Sequence, residues 1–282
     1  MSHVSHTSEL RPEKYDFSAA KKYSTIGLVC CAAGSIVSLA GYFSHPEQFA
    51  FSWLFAFAVA FTISVGALFW TILHTATDSE WGVLVRRQME NIAGMFWVIP
   101  FAFIPLLVCA PYLWKWWTIP PGVDALLDAK SGGYLNQPFF IFRAAFYFLG
   151  LGWVAWQLRK SSVAQDEDGA ARHTIWMRKV AIAGLPIFAV SLTFGAVDWL
   201  MGLDHHWFST MWGVYIFAGA AGSSMALLIL LVTFLRNSGF LKAVTEEHYH
   251  IMGKFLLAFT VFWAYIGYSQ YMLIWYANIP EA

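Results

Sequence analysis

The stretch "FAFSWLFAFAVAFTISVGALFWTIL", residues 49–73, runs for 25 residues without a single charged side chain. As an α-helix it would rise about 37 Å, more than the roughly 30 Å hydrocarbon thickness of a bilayer. As a barrel strand it would have to alternate polar and apolar residues, and it does not. A membrane-spanning helix is therefore predicted here. Runs of the same kind recur in both directions, and the predicted spans are 23–43, 49–73, 92–113, 139–158, 180–200, 209–235 and 255–277. The composition fits: 59% of residues are hydrophobic, 18% aromatic and only 12% charged, far from ordinary soluble usage. The expected fold class is all-α, a polytopic membrane protein with about seven transmembrane helices in one helical domain, residues 23–282, after an N-terminal segment 1–22. That segment is mostly polar and no small-residue cleavage motif follows the first apolar run, so a cleaved signal peptide is not expected.

Lys and Arg set the expected orientation. One set of connections carries Arg11, Lys14, Lys21, Lys22, Arg86, Arg87, Arg159, Lys160, Arg172, Arg178, Lys179, Arg236, Lys242 and Lys254, and the alternate set carries only Lys115 and Lys130. By the positive-inside rule the N-terminus is cytoplasmic and the C-terminal "ANIPEA" lies on the opposite side. A missed or extra span would scramble this alternation, so the charges also support the helix count.

Cys30, Cys31 and Cys109 fall in predicted spans and are read as small packing residues, since there is no CxxC, no CxxCH and no four-Cys set. No span carries an interior His to ligate haem. His74, His173, His248 and His250 stand at one set of helix ends, and His45, His205 and His206 at the other. The sequence thus predicts no redox metal and no covalently bound cofactor, and nothing in it points to nucleic acid.

Ionisable groups in or beside the spans are the candidate functional residues, because such groups are costly in a bilayer. Arg143, near the start of the fourth span, is read either as snorkelling to the headgroups or as contacting an anion or quinone. Asp198 closes the fifth span on the same helical face as Ser191, either as a solvated helix-end carboxylate or as a proton site. Pro186 interrupts that helix and would kink it or admit water. In the last span Tyr265, Tyr268, Ser269, Met272 and Tyr276 form one stripe with Gln270 beside it, suited to interhelical hydrogen bonding, a proton wire or a quinone-facing wall. His74, Glu90 and Asn91 flank one re-entry into the membrane, where Glu90 and Asn91 are candidates for a proton entrance and Arg86 and Arg87 for surface ion pairing. The "EEHYHIMGK" stretch (246–254) carries a His-x-His, read without a metal for want of further ligands. Between the fifth and sixth spans, "DWLMGLDHHWFSTMW" (198–212) offers Asp198, Asp204, His205 and His206. Adjacent His rarely converge on one ion, so this stretch is read as a surface turn: Trp199, Trp207 and Trp212 anchor at the interface, and Asp204 and His205 cap or flank a helix start.

Three long blocks, "FSWLFAFAVAFTISVGALFWTILHTATDSEWGVLVRRQMENIA", "AVDWLMGLDHHWFSTMWGVYIFAG" and "GKFLLAFTVFWAYIGYSQYMLIWYANIPE", resemble in order the F-type membrane subunit of bacterial alternative complex III, a quinol:cytochrome c oxidoreductase unrelated to the bc1 complex. That subunit belongs to the NrfD-like group, which includes the membrane subunit of polysulfide reductase. The resemblance implies a multi-pass subunit of the bacterial inner membrane, built on two four-helix bundles with flanking helices. Its partners would be a paralogous membrane subunit, a periplasmic iron–sulfur protein and c-type cytochromes. Its role would be contact with a quinone, menaquinone or ubiquinone, or a proton pathway, with no catalytic residue of its own, and the pair His205 and His206 would serve subunit contact or proton exit. Family chains continue past "WYANIPE" with further helices, so this chain is expected to be a fragment or to complete its second bundle with a partner. Two other classes stand beside this one: a purely structural membrane anchor, and a secondary transporter, disfavoured because no repeat with paired broken helices is present.

Overall fold

Hydropathy stops where the charges begin, but the helices continue. In the computed structural model, which describes residues 18–278 with side chains from 21, the long helices overrun the predicted spans mainly toward the Lys- and Arg-rich ends. The C-terminal "IPEA" and most of segment 1–22 lie outside the described residues, and with them the readings made there. The chain divides into two compact units, 1–49 and 50–282. In the first, α1 (Ser18–Ser44) leads into the start of α2 (Pro46–Thr77), and Tyr42 meets Phe43 and Phe49 edge-on at 5.4 and 5.6 Å. Cys30 and Cys31 are exposed on α1 and do not pack within the first unit as expected, whereas Cys109 is buried in the second.

The second unit holds the remainder of α2, α3 (Arg86–Ala93), α4 (Ile99–Val108), α5 (Ala110–Leu113), α6 (Ala125–Ser131), α7 (Gln137–Asp168), α8 (Ala171–Trp199), α9 (Trp212–Asn237) and α10 (Glu246–Tyr276). There is no strand among the described residues, and seven helical segments are long and apolar enough to cross a membrane. This is an all-α, multi-pass membrane protein.

Local signals set the boundaries. Asn136 accepts from the Phe139 amide at the start of α7, with Pro138 in the first turn, where its missing N–H costs nothing. Gly169 ends α7 in the left-handed region at φ 62, which lets α8 fold straight back along it. Thr245 and His248 form a reciprocal cap on α10. The span predicted at 92–113 differs most. It begins earlier, at Arg86, tightens to a 3-10 turn over Gly94–Trp97, resumes as α4 and ends at Val108. Pro100 and Pro111 stand in the first turns of α4 and α5, where the helix restarts, whereas Pro105 lies inside α4 without ending it. Pro186 does not break α8, which runs unbroken through it.

Packing is close because small residues allow it. Gly66 of α2 faces α9 so tightly that a Cβ there would lie 2.1 Å from the Ala220 carbonyl oxygen. One turn on, the Trp70 indole donates to the Ala221 carbonyl at 2.9 Å. The facing residues of α9 are Ala220, Ala221 and Ser224, the small-residue seam by which helices approach where no hydrophobic effect drives them together. Trp199 sits at the centre of an aromatic cluster: its ring lies 4.9 to 5.4 Å from those of Phe61, Phe103, Phe57 and Phe148. The expected interfacial anchor is thus a core residue, only 2% exposed.

Candidate functional site

The deepest polar group joins α7 to α8. Arg143 and Asp198 are 6% and 2% exposed, so neither the snorkelling nor the solvated reading holds. Arg143 Nε donates to Asp198 Oδ2 and Nη2 to Oδ1, each at 2.8 Å, a two-pronged pair that fits the planar guanidinium. Tyr147, one helical turn beyond Arg143 on α7, donates its hydroxyl to Asp198 Oδ2 at 2.8 Å. The third guanidinium nitrogen donates to the Tyr134 carbonyl at 2.8 Å, and the cation lies 3.8 Å from the centre of the Tyr134 ring. Tyr134 stands before α7; burial first, and then the Asp198 carboxylate, raise its phenol well above the ordinary range, so it stays protonated. Both Asp198 oxygens are thereby engaged. Ser191 is buried on the same face, with no hydrogen-bond partner for its hydroxyl among the described residues.

At the Lys- and Arg-poor end, the connection after α8 makes a second arrangement. Its side chains and the end of α10 line a cavity of about 640 Å³. Leu200, Leu203, Trp207, Phe208, Leu273 and Ile274 supply apolar walls, and Asp204, His206, Ser209, Thr210 and Gln270 the polar points. Ser209 Oγ donates to Gln270 Oε1 at 2.9 Å, which fixes the amide at the wall. Trp207 and Trp212 meet edge-on at 5.2 Å, and the Trp212 indole donates to Ala196 O.

The His pair beside this cavity behaves differently from the expectation. His205 Nε2 and His206 Nε2 both point at Asp124 Oδ2, at 2.7 and 2.9 Å, with their rings 4.3 Å apart. The adjacent histidines do converge, on a carboxylate 81 residues away in sequence that had no place among the candidates. Asp198 and Asp204, which had been grouped with them, do not join. Asp204 Oδ1 accepts the His206 amide and caps no helix, since α9 begins only at Trp212. Asp124 is the helix cap: its Oδ1 accepts from Leu126 and Leu127 at the start of α6. The hydrogen bond from His205, then that from the Leu127 amide, lowers the Asp124 carboxyl to about 2.

At the Lys- and Arg-rich end, Glu90 is 3% exposed and pairs with Arg86 at 3.3 Å and Arg87 at 2.8 Å. Arg87 also reaches Asp166 on α7. Both arginines thus serve a buried carboxylate, and Arg87 adds the expected surface pair with the exposed Asp166. Asn91 is exposed. His74 is buried in the last turn of α2 beside Gly82, with Nε2 unpartnered among the described residues. His74 and Glu90 flank the same turn but are not bonded to each other.

Comparison with protein-family models and with curated proteins finds no match.

The stripe on α10 is not a wall of this chain's interior. Tyr265 and Tyr268 are each 62% exposed and make no hydrogen bond among the described residues; Tyr276 is exposed as well. Gln270 lies off the stripe and faces the cavity with Leu273 and Ile274. His248 is occupied by the Thr245 cap and His250 is exposed, so the His-x-His does not converge. The candidates thus fall into three separate places: Arg143 with Asp198; His205, His206 and Gln270 around the cavity; and His74 near Glu90. Sequence reading missed Tyr147, Tyr134 and Asp124. Tyr147 carried a signal, since it follows Arg143 by four residues on one helical face.

Proposed function

We propose that this chain is a membrane subunit of a respiratory quinol:cytochrome c oxidoreductase of the alternative complex III type, contributing quinone contact and/or a proton path while partner subunits carry the electrons. The observation that carries the reading is the cavity lined by Gln270, Ser209 and His206. A quinone head presents two carbonyls that require donors and a flat ring that favours apolar walls, and this cavity offers an amide, a hydroxyl and an imidazole among Leu, Ile, Phe and Trp side chains. Quinol oxidation also needs acceptors for two protons, and the imidazole and carboxylates nearby are of the type that relays them. In this reading the basic-rich end faces the cytoplasm of a bacterial inner membrane and the cavity opens toward the periplasm, where an iron–sulfur protein and c-type cytochromes collect the electrons.

A purely structural anchor is the second reading, favoured by the complete pairing of Asp198. Turnover of the purified intact complex separates the two. Gln270→Leu is expected to raise the KM for quinol several-fold with the complex assembled, and Asp198→Asn to lower turnover or proton release. Wild-type kinetics in both, with normal assembly, sinks the first reading. Co-purification that yields neither a cytochrome c nor an iron–sulfur subunit overturns the assignment to this complex.

A further inference from the structure

We infer that Asp124, His205 and His206 form a binding site for one divalent first-row transition-metal ion, of which Zn2+ is the type. The inference is independent of the quinone reading.

One ligand atom from each residue lies within 4.8 Å of the other two. Neighbouring residues in an extended chain project to opposite sides, so two adjacent imidazoles sharing one acceptor require the backbone to bend. Here the 3-10 turn Met201–Leu203 and the Asp204 side chain on the His206 amide supply the bend. The Lys130 ammonium holds the His205 carbonyl at 2.6 Å and fixes the first ring. Asp124 is equally constrained. Its Oδ1 is committed to two amides at the start of α6, which leaves Oδ2 aimed at both Nε2 atoms. Asp124 is thus oriented by outer hydrogen bonds as metal ligands usually are, while the His205 Nδ1 is buried with no partner among the described residues.

Without an ion, both Nε2 atoms stand against the same carboxylate oxygen. A divalent ion would take the three atoms as ligands, with each imidazole neutral and its one ring proton on Nδ1, so that any second ring proton leaves to solvent. Around Zn2+, with bonds of about 2.0 to 2.1 Å, tetrahedral ligand atoms sit about 3.3 Å apart. The present 2.7 and 2.9 Å separations need to open by only about half an ångström, within reach of small ring rotations. Two imidazoles and one carboxylate select zinc, cobalt, nickel or copper over calcium and magnesium, which take oxygen cages. Three protein ligands leave a fourth position for water or a partner's side chain. Access exists, since the His206 side chain is 46% exposed while that of His205 is 5%. The Lys130 ammonium is engaged by the His205 carbonyl rather than by a ligand atom. Binding would tie the connection between the third and fourth spans to that between the fifth and sixth.

The test uses the full chain in detergent, purified on a tag without histidine, stripped with chelator and titrated with Zn2+ by calorimetry and with Co2+ by visible absorption. One ion per chain and the intense d–d bands of a tetrahedral cobalt site are expected. His206→Gln, at an exposed position, and Asp124→Asn, which retains the oxygen that caps α6, should each weaken binding by more than about 100-fold. A His248→Gln, His250→Gln double variant should leave it unchanged. No stoichiometric ion in the wild type, or equal affinity in His206→Gln and Asp124→Asn, overturns the proposal.

Discussion

Two side chains show what one position decides. A buried ion pair contributes little net stability against an apolar replacement of the same shape, but removing one partner strands the other charge at a cost of about 3 to 5 kcal/mol. Arg143→Met is therefore expected to destabilise the chain by that amount, as is Asp198→Leu, while the double variant recovers most of the loss. Thermal unfolding in detergent across the four proteins checks it, and additive losses would show that the pair is not coupled. Asp124 titrates on a different scale. Its folded carboxyl is lowered from 3.8 to about 2, so its stabilising contribution is complete above the higher value and drains away as pH falls toward the lower. The difference in unfolding temperature between wild type and Asp124→Asn should shrink as pH is taken from about 4 to 2. A constant difference over that range would mean that the carboxylate's charge plays no part. The contrast between these positions also marks what a sequence reveals. Arg143 and Asp198 stand out because charge is rare in an apolar run. Asp124 stands in a polar connection with other acids and gains its meaning only when the chain brings His205 and His206 against it.

Among the elements, uninterrupted apolar runs were legible and their ends were not. The seven spans follow from composition alone, since a bilayer forces every backbone group inside it to bond within its own helix. Helical ends extend into charged sequence because Arg159, Lys160 and their neighbours are good helix formers, and leaving the membrane does not oblige a helix to stop. The broken third span was misjudged for the opposite reason: its apolar content hid Pro100 and Pro111, at which the helix restarts. Close helix approach is likewise invisible in hydropathy, where Gly66 counts as one more small residue. Replacing it by Val puts branched carbon where the Ala220 carbonyl now sits, and α2 and α9 must part. A loss of about 1 to 3 kcal/mol is expected, with Trp70 losing its bond to Ala221. Unchanged unfolding temperature and unchanged tryptophan fluorescence in Gly66→Val would show that the seam yields without cost.

For the molecule as a whole, the outermost helix of the second unit explains why its phenols could not be assigned from spacing. Periodicity places Tyr265, Tyr268 and Tyr276 on one face of α10 but leaves open which way that face turns, since in a bilayer both lipid and protein surroundings are apolar. The structure turns it outward: Tyr265 and Tyr268 are each 62% exposed, while Ile266 and Gln270 on other faces meet the chain. A phenol that bonds nothing within its own chain should be dispensable for the fold. Tyr265→Phe and Tyr268→Phe, together, are expected to change stability by no more than about 0.5 kcal/mol, the ordinary range for surface positions. A photoreactive residue at 265 gives the sharper measurement. On illumination in proteoliposomes it should label acyl chains or another molecule and never α9 of the same chain, because the face it occupies points away from that helix. Intramolecular crosslinks to α9 would mean that α10 is rotated about its axis, and Gln270 would then be displaced from the cavity it now lines.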